Sequence, residues 1–266
     1  MLTVRPAIVA GRFYPGEPHR LREEVDALLA AVKVPPADSM PKALIVPHAG
    51  YVYSGPVAAS GYARLMREGG TLERVVLLGP SHYAAFEGLA LPESEAFETP
   101  LGIVEVDLEA LARIPQIRRS EAIHRPEHAL EVHLPFLQRV APKAKVVPLA
   151  VGQAYPAQVA EVLEALWGGP ETMIVVSSDL SHYLSYRECR RVDAETTRQI
   201  LHLDPALAPG AACGAAPVAG FLEAARRRHL HPLLLDLRNS GDTAGGQDEV
   251  VGYGAFAFYE TRTDRP

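Results

Sequence analysis

The sequence predicts an α/β fold: a single-domain α/β/α sandwich around a mixed, largely parallel sheet. Two observations carry that prediction. Short unbroken runs of Val, Ile and Leu bounded by Gly or Pro recur along the chain, which is how strands buried on both faces read. Between them lie stretches with one apolar stripe at helical spacing. Strands and helices therefore alternate through all 266 residues, with no repeat, linker or low-complexity tract to divide the span 1–266.

The first element is strand-like, Ala7-Ile8-Val9-Ala10, and 11–16 is a turn. Across 19–33, Leu21, Val25, Leu28, Leu29 and Val32 fall at i, i+4, i+7, i+8 and i+11, one stripe on a helix that stops before Pro35-Pro36. A core strand follows at 43–46. The glycines of 49–55 let the backbone turn tightly beyond its tip, and Pro56 suits the first position of a helix running to Gly69-Gly70. Core strand 74–78 and a short strand at 89–91 come next, and 113–125 reads as irregular surface loop. The stretch 127–140 reads as a helix interrupted near Pro135. Strand 145–149, helix 156–167, strand 171–176, helices 187–203 and 217–228, and strands 233–235 and 250–259 complete the pattern.

Composition excludes several function classes. At 48% hydrophobic and 22% charged this is an ordinary globular chain. A net charge of −6 with scattered basic residues provides no electrostatic footprint for nucleic acid. No window approaches the ~20 apolar residues of a membrane span, and the start has no secretory h-region. Cys189 and Cys213 form neither a CxxC pair nor a disulfide framework. The expectation is a cytoplasmic protein without membrane or nucleic-acid partners.

Four of the apolar runs stop at residues able to bind a metal or move a proton. The run 43–46 leads to Pro47-His48, and 75–78 leads to Gly79-Pro80-Ser81-His82. The third, 173–176, leads to Ser177-Ser178-Asp179-Leu180-Ser181-His182; the fourth, 233–235, leads to Asp236 and then Asn239-Ser240-Gly241-Asp242. Ligands collect beyond the carboxyl ends of the strands in open α/β sheets, so the four tips are expected to meet. If the strands before His48 and His82 are neighbours, the two imidazoles stand a few ångströms apart. Two histidines plus one carboxylate hold Fe, Zn or Mn with positions left open. Asp242 is the chosen carboxylate, with Asp248 and Glu249 as competitors. Taken alone, each histidine reads as a loop cap and Asn239 to Thr243 as a surface turn.

Asp179 and His182, three apart, share a face if the chain turns helical there, so either Asp179 orients His182 for acid–base work or both face the cleft. The plainer alternative makes Asp179 a helix N-cap. Glu127-His128-Ala129-Leu130-Glu131-Val132-His133 is dense in ligand types but is no zinc-protease motif, because its histidines, five apart, point about 140° from one another on a helix. One of His128, Glu131 or His133 would support the site from behind. Nucleophile chemistry is the thinner reading: there is no GxSxG elbow, and Cys213-Gly214 has no histidine nearby in sequence.

Gly11-Arg12-Phe13-Tyr14, Pro47-His48-Ala49-Gly50-Tyr51-Val52-Tyr53-Ser54-Gly55, Leu78-Gly79-Pro80-Ser81-His82, the Glu127 to Pro135 stretch, Ser177 to His182 and Cys213-Gly214 resemble the Memo family in its bacterial and archaeal form. The likeness runs in order over nearly the whole chain. It implies a fold similar to the catalytic subunit of class III extradiol dioxygenases, which hold Fe(II) with two histidines and a carboxylate. His48 and His82 match the family's metal-site histidines, and Asp179 and His182 its further cleft residues. Animal members supply a cysteine in the C-terminal part of the site, where this chain reads Gly241-Asp242-Thr243, so either Asp242 or Thr243 stands opposite it. Ligand chemistry favours Asp242.

The functional expectation is a metal-binding, dioxygenase-type oxidoreductase. Fe(II) is preferred, with Zn or Cu as alternatives, at His48, His82 and Asp242; His182 and Asp179 handle protons, and Tyr51 and Tyr53 either shape the mouth or serve a core or stacking role. The rivals are a non-catalytic module binding a peptide or small molecule in the same cleft, and a zinc-type hydrolase. Homo-oligomerisation is left open.

Overall fold

The computed structural model describes residues 2–35, 39–208 and 210–261. Its elements are β1 (Val4–Arg5), α1 (Pro18–Ala30), β2 (Ala43–Val46), α2 (Tyr51–Tyr62), β3 (Arg74–Pro80), β4 (Leu89–Leu91), β5 (Ala96–Thr99), β6 (Gly102–Glu105), α3 (Leu108–Leu111) and β7 (Arg118–Arg119). There follow α4 (Glu121–His124), α5 (Leu134–Val140), β8 (Lys145–Val151), α6 (Pro156–Leu166), β9 (Thr172–Ser177), β10 (His182–Leu184), α7 (Tyr186–Leu201), α8 (Ala215–Arg227), β11 (His231–Asn239) and β12 (Val250–Tyr259).

The main sheet runs β10-β12-β2-β9-β3-β8-β4-β7, with β11 also paired to β12. Its centre, β2-β9-β3-β8, is parallel; β12 joins β2 and β4 joins β8 antiparallel. Every residue of 43–46, 75–78 and 173–176 is fully buried, which explains their unbroken apolar composition. Register assigns the layers. Phe258 faces Ala43 across the β12–β2 pair and meets Phe221 of α8, with ring centroids 4.7 Å apart. The alternate residues Leu44 and Val46 meet α2, whose Gly61 lies so close that a Cβ there would come within 2.6 Å of Val46. Adjacent strand residues point to opposite faces, so α8 and α2 cover opposite sides of the sheet, and the α/β/α sandwich stands. A small second sheet, β1-β5-β6, flanks it.

Several local expectations change. Residues 7–10 form no strand with a neighbour of the sheet, because the N–H groups of Ile8 and Val9 bond the buried Glu131 carboxylate at 2.9 Å each. The α2 helix starts at Tyr51, five residues before Pro56, which sits inside it and leaves the Val52 carbonyl without its helical N–H. Pro135 opens α5 rather than interrupting a longer helix, as its fixed φ and missing N–H suit a first turn. The stretch 113–125 holds β7 and α4, and His182 begins β10 on the sheet edge instead of a helix.

Candidate metal centre

The strands carrying His48 and His82 are not adjacent: β9 lies between β2 and β3. The imidazoles still meet, with ring centroids 5.2 Å apart, because both loops fold inward over the tip of β9. His128 closes the group, 4.8 Å from the His82 ring and 5.6 Å from the His48 ring. Cys213, from the loop before α8, brings its Sγ to 3.4 Å from His48 Nε2.

Among the described residues three overlapping sets of ligand-type atoms result, each within 4.8 Å of one another: His48, His82 and Cys213; His82, Glu127 and His128; Asp179, His182 and Cys213. A cavity of about 620 Å³ bounded by Glu87, Gly152, Tyr155 and Ala216 opens at the tip of β8 and contains none of these donors. Donor chemistry rather than cavity size therefore locates the site.

Hydrogen bonds orient the rings. Glu127 takes both the His82 backbone N–H, at 2.6 Å, and the ring nitrogen Nδ1, at 2.9 Å. An ionised carboxylate only accepts, so Nδ1 carries the proton and Nε2 offers its lone pair. Burial pushes the Glu127 carboxyl up, but the hydrogen bonds from the His82 ring, the His82 backbone and the Ala129 N–H outweigh it and bring its pKa to about 2, so it is ionised at neutral pH. His182 Nδ1 donates to the Leu180 carbonyl at 2.8 Å, which likewise frees Nε2. Carboxylate and carbonyl partners of this kind fix tautomer and direction in metal-ligating histidines.

Asp179 does not orient His182. Its Oδ1 accepts the His48 backbone N–H at 2.8 Å, and its own N–H points to Cys213 Sγ at 3.3 Å, so it ties the β2 tip to the Cys213 loop. Burial raises the Asp179 pKa. Burial first, then the Asp179 charge, raise that of the Cys213 thiol, and burial holds His48 well below the ordinary imidazole range. Metal-free, the pocket therefore favours uncharged His48 and a protonated thiol.

The fourth tip stays apart. Antiparallel pairing brings the end of β11 to the same side of the sheet, but Asp242 joins none of the ligand sets. Its carboxylate accepts from Tyr186 Oη at 2.6 Å and from the Asn239 N–H at 2.9 Å, capping the turn that follows β11. Thr243 bonds the Ser240 carbonyl, and Asp248 and Glu249 are exposed. Asp242 is therefore not brought to the histidine pair, and Cys213 stands beside it instead. That residue was passed over because its histidine partner lies 165 positions away in the chain. The collinear Cys213-Gly214 motif was the signal that could have found it.

The Glu127 to His133 stretch divides into three roles. Glu127 and His128 belong to the site. Glu131 is a structural tie, bonded to Arg5 Nη1 at 2.7 Å and Tyr14 Oη at 2.7 Å. His133 is fully buried behind the pair. Tyr51 is also core, its hydroxyl on the Val132 carbonyl, whereas Tyr53, Tyr83 and Tyr183 are exposed.

Fold and site together define a class: an α/β/α protein that gathers imidazole, thiol and carboxylate groups at the carboxyl ends of its parallel strands. The chain belongs to the Memo-like family, whose sequence model matches residues 5–257. It is 34% identical to a MEMO1 family protein of Aquifex aeolicus over 97% of this chain and 100% of that one. Similar proteins of Archaeoglobus fulgidus and Methanopyrus kandleri, also 34% identical, align over 94% and 96% of this chain and 97% and 98% of theirs. Among the described residues no helix is long and apolar enough to cross a membrane.

Proposed function

We propose that this chain is a metal-dependent oxidoreductase of dioxygenase type, in which His48, His82 and Cys213 hold a divalent ion and a small molecule reacts beside it. The observation that carries this reading is the convergence of two imidazoles and a thiol from three separate loops, with ligand atoms within 4.8 Å of one another. The donor set fits a first-row metal: imidazole suits Fe, Zn and Cu, and a thiolate in place of the expected carboxylate strengthens Zn and Cu against the preferred Fe(II). When bound, the ion would supply Lewis acidity and, as iron or copper, one-electron chemistry.

The protein's own groups do the rest. Glu127 directs the His82 lone pair, and Asp179 anchors the backbone of His48. His182, with Nδ1 engaged, has Nε2 free to take a proton from a substrate hydroxyl. His82 and His182 are both partly exposed, so the open side of the cluster faces solvent and an incoming ligand. The free thiols Cys189 and Cys213 suit a reducing compartment such as the cytoplasm.

Metal analysis after anaerobic purification tests the assignment. One ion per chain is expected in the wild type and in Asp242→Ala, and loss in His48→Ala and Cys213→Ser. Stoichiometric metal in both of the latter would sink it. Oxygen uptake with a panel of dihydroxy aromatics, set against ester and phosphate hydrolysis, then separates oxidation from zinc-type hydrolysis.

A second reading, peptide binding without turnover, is favoured by Tyr83 and Tyr183, 61% and 73% exposed and next in sequence to His82 and His182. It requires an iron-loaded protein inert toward every oxidisable substrate.

A further inference from the structure

The geometry points to Ser177 as a positioning residue: we infer that its hydroxyl holds His48 in the tautomer whose Nε2 lone pair is free, and the buried His133 in the opposite one. The purpose of the lock rests on the metal reading; its geometry does not.

Ser177 Oγ, fully buried at the tip of β9, has three polar neighbours. They are the Ala129 carbonyl at 2.7 Å, His48 Nδ1 at 2.6 Å and His133 Nε2 at 2.8 Å. A hydroxyl owns one proton and two lone pairs, and a carbonyl only accepts. The proton must therefore lie between Ser177 and Ala129, since two oxygens at 2.7 Å without one would repel. Both lone pairs then face ring nitrogens, and each ring has to donate. His48 carries its proton on Nδ1 and turns a bare Nε2 toward Cys213, while His133 carries its proton on Nε2. Two histidines on one hydroxyl are held in opposite tautomers.

His133 completes the count, because its N–H occupies the last lone pair and leaves the hydroxyl no alternative partner. Its Nδ1 is buried and without a hydrogen-bond partner, so the one bond that places this ring's polar edge is the bond to Ser177. The same cost argument explains why the arrangement does not drift. Moving the proton to His48 would strand the Ala129 carbonyl, and a buried carbonyl left without a donor is costly.

Nitrogen-15 NMR of the imidazoles in the metal-free full-length protein tests this directly. The unaltered chain should show His48 protonated at Nδ1 and His133 at Nε2. Ser177→Ala should move His48 toward the Nε2–H form, and its Co(II) affinity should fall about 10–100-fold, the usual cost of losing a partner that orients a metal ligand. Ser177→Thr should restore both. His133→Phe should leave His48 at Nδ1–H, since the proton between Ser177 and Ala129 is untouched, which separates the hydroxyl's effect from general repacking. A wild-type His48 protonated at Nε2, or a tautomer unchanged in Ser177→Ala, overturns the lock. The wild-type spectrum decides even if Ser177→Ala fails to fold. Failure of Co(II) to bind the wild type counts against the metal reading instead, and the spectra judge the lock by themselves.

Discussion

Glu127 and Glu131 stand four residues apart in one short stretch, and both carboxylates are almost completely buried, yet they serve two different corners of the fold. Glu127 turns toward the strand tips and orients His82. Glu131 turns toward the N-terminal segment, where Arg5, Ile8, Val9 and Tyr14 all bond it. Arg5 in turn donates to the carbonyls of His124, Arg125 and Glu127. The comparison teaches that a buried carboxylate among histidines is not thereby functional. What separates the two is the partner: a polarisable ring with a free second nitrogen in one case, a guanidinium and backbone amides in the other.

Substitution should pull the two corners apart. The largest effect is expected from Glu131→Gln, which strands a fully buried Arg5 and should cost about 3–5 kcal/mol. Chemical denaturation measures it, and metal uptake by the protein that remains folded should be unchanged. A loss of metal at full stability would reverse the assignment of the two corners.

Acid should separate them next. His124 lies in the Arg5 corner, and burial lowers its pKa from the ordinary 6.5 to about 4. The unfolded chain therefore takes up this proton first. The stability gained by keeping His124 neutral is complete above pH 6.5 and is lost as pH falls toward 4, a change on the order of 3 kcal/mol. Buried His48 and His133, also shifted down, add to the same limb. The Glu127 contribution behaves differently: its lowered pKa makes it complete above about pH 4.5 and lost as pH falls toward 2. Denaturation midpoints from pH 7 to pH 4 should flatten in His124→Gln; an unchanged slope would mean that His124 does not titrate in that window.

Glu127→Gln should cost less stability than Glu131→Gln, about 1–3 kcal/mol, because an amide still accepts from His82. Its mark should be functional, a fall of roughly 10–100-fold in metal affinity by titration. The smallest effect is expected for Asp242→Asn, an exposed residue whose bonds close a surface turn. Calorimetric metal binding there should match wild type, and a clear loss would return Asp242 to the ligand set.

How much of this was legible depends on the range of the cause. The buried strands were readable because their environment is written locally, in runs such as Leu44-Ile45-Val46 and Ile174-Val175-Val176. Three of the four polar tips followed, since a residue just past a buried strand has to lie at the sheet's carboxyl end. The order of the strands was not readable: the approach of His48 to His82 was argued on the condition that their strands are neighbours, and β9 separates them. Nor was the residue that joins the two histidines. Asp242 had the right chemistry and a place at the right end of the sheet, but Tyr186 and the Asn239 amide already claim it. Ile8 and Val9 look like strand and are not, because a carboxylate more than a hundred residues away takes their N–H groups.

By itself, the sequence determined the α/β alternation, the buried strands and the presence of His48, His82, Asp179 and His182 at the strand tips. Each of these rests on short-range periodicity or on a motif. Only the tertiary structure decided that Cys213 and not Asp242 stands beside His48, that Asp179 holds a backbone amide rather than His182, and that Glu127 and Glu131 part company. Those outcomes depend on which donor finds which acceptor across distant loops, and hydrogen-bond satisfaction in a buried site is settled by the whole fold at once.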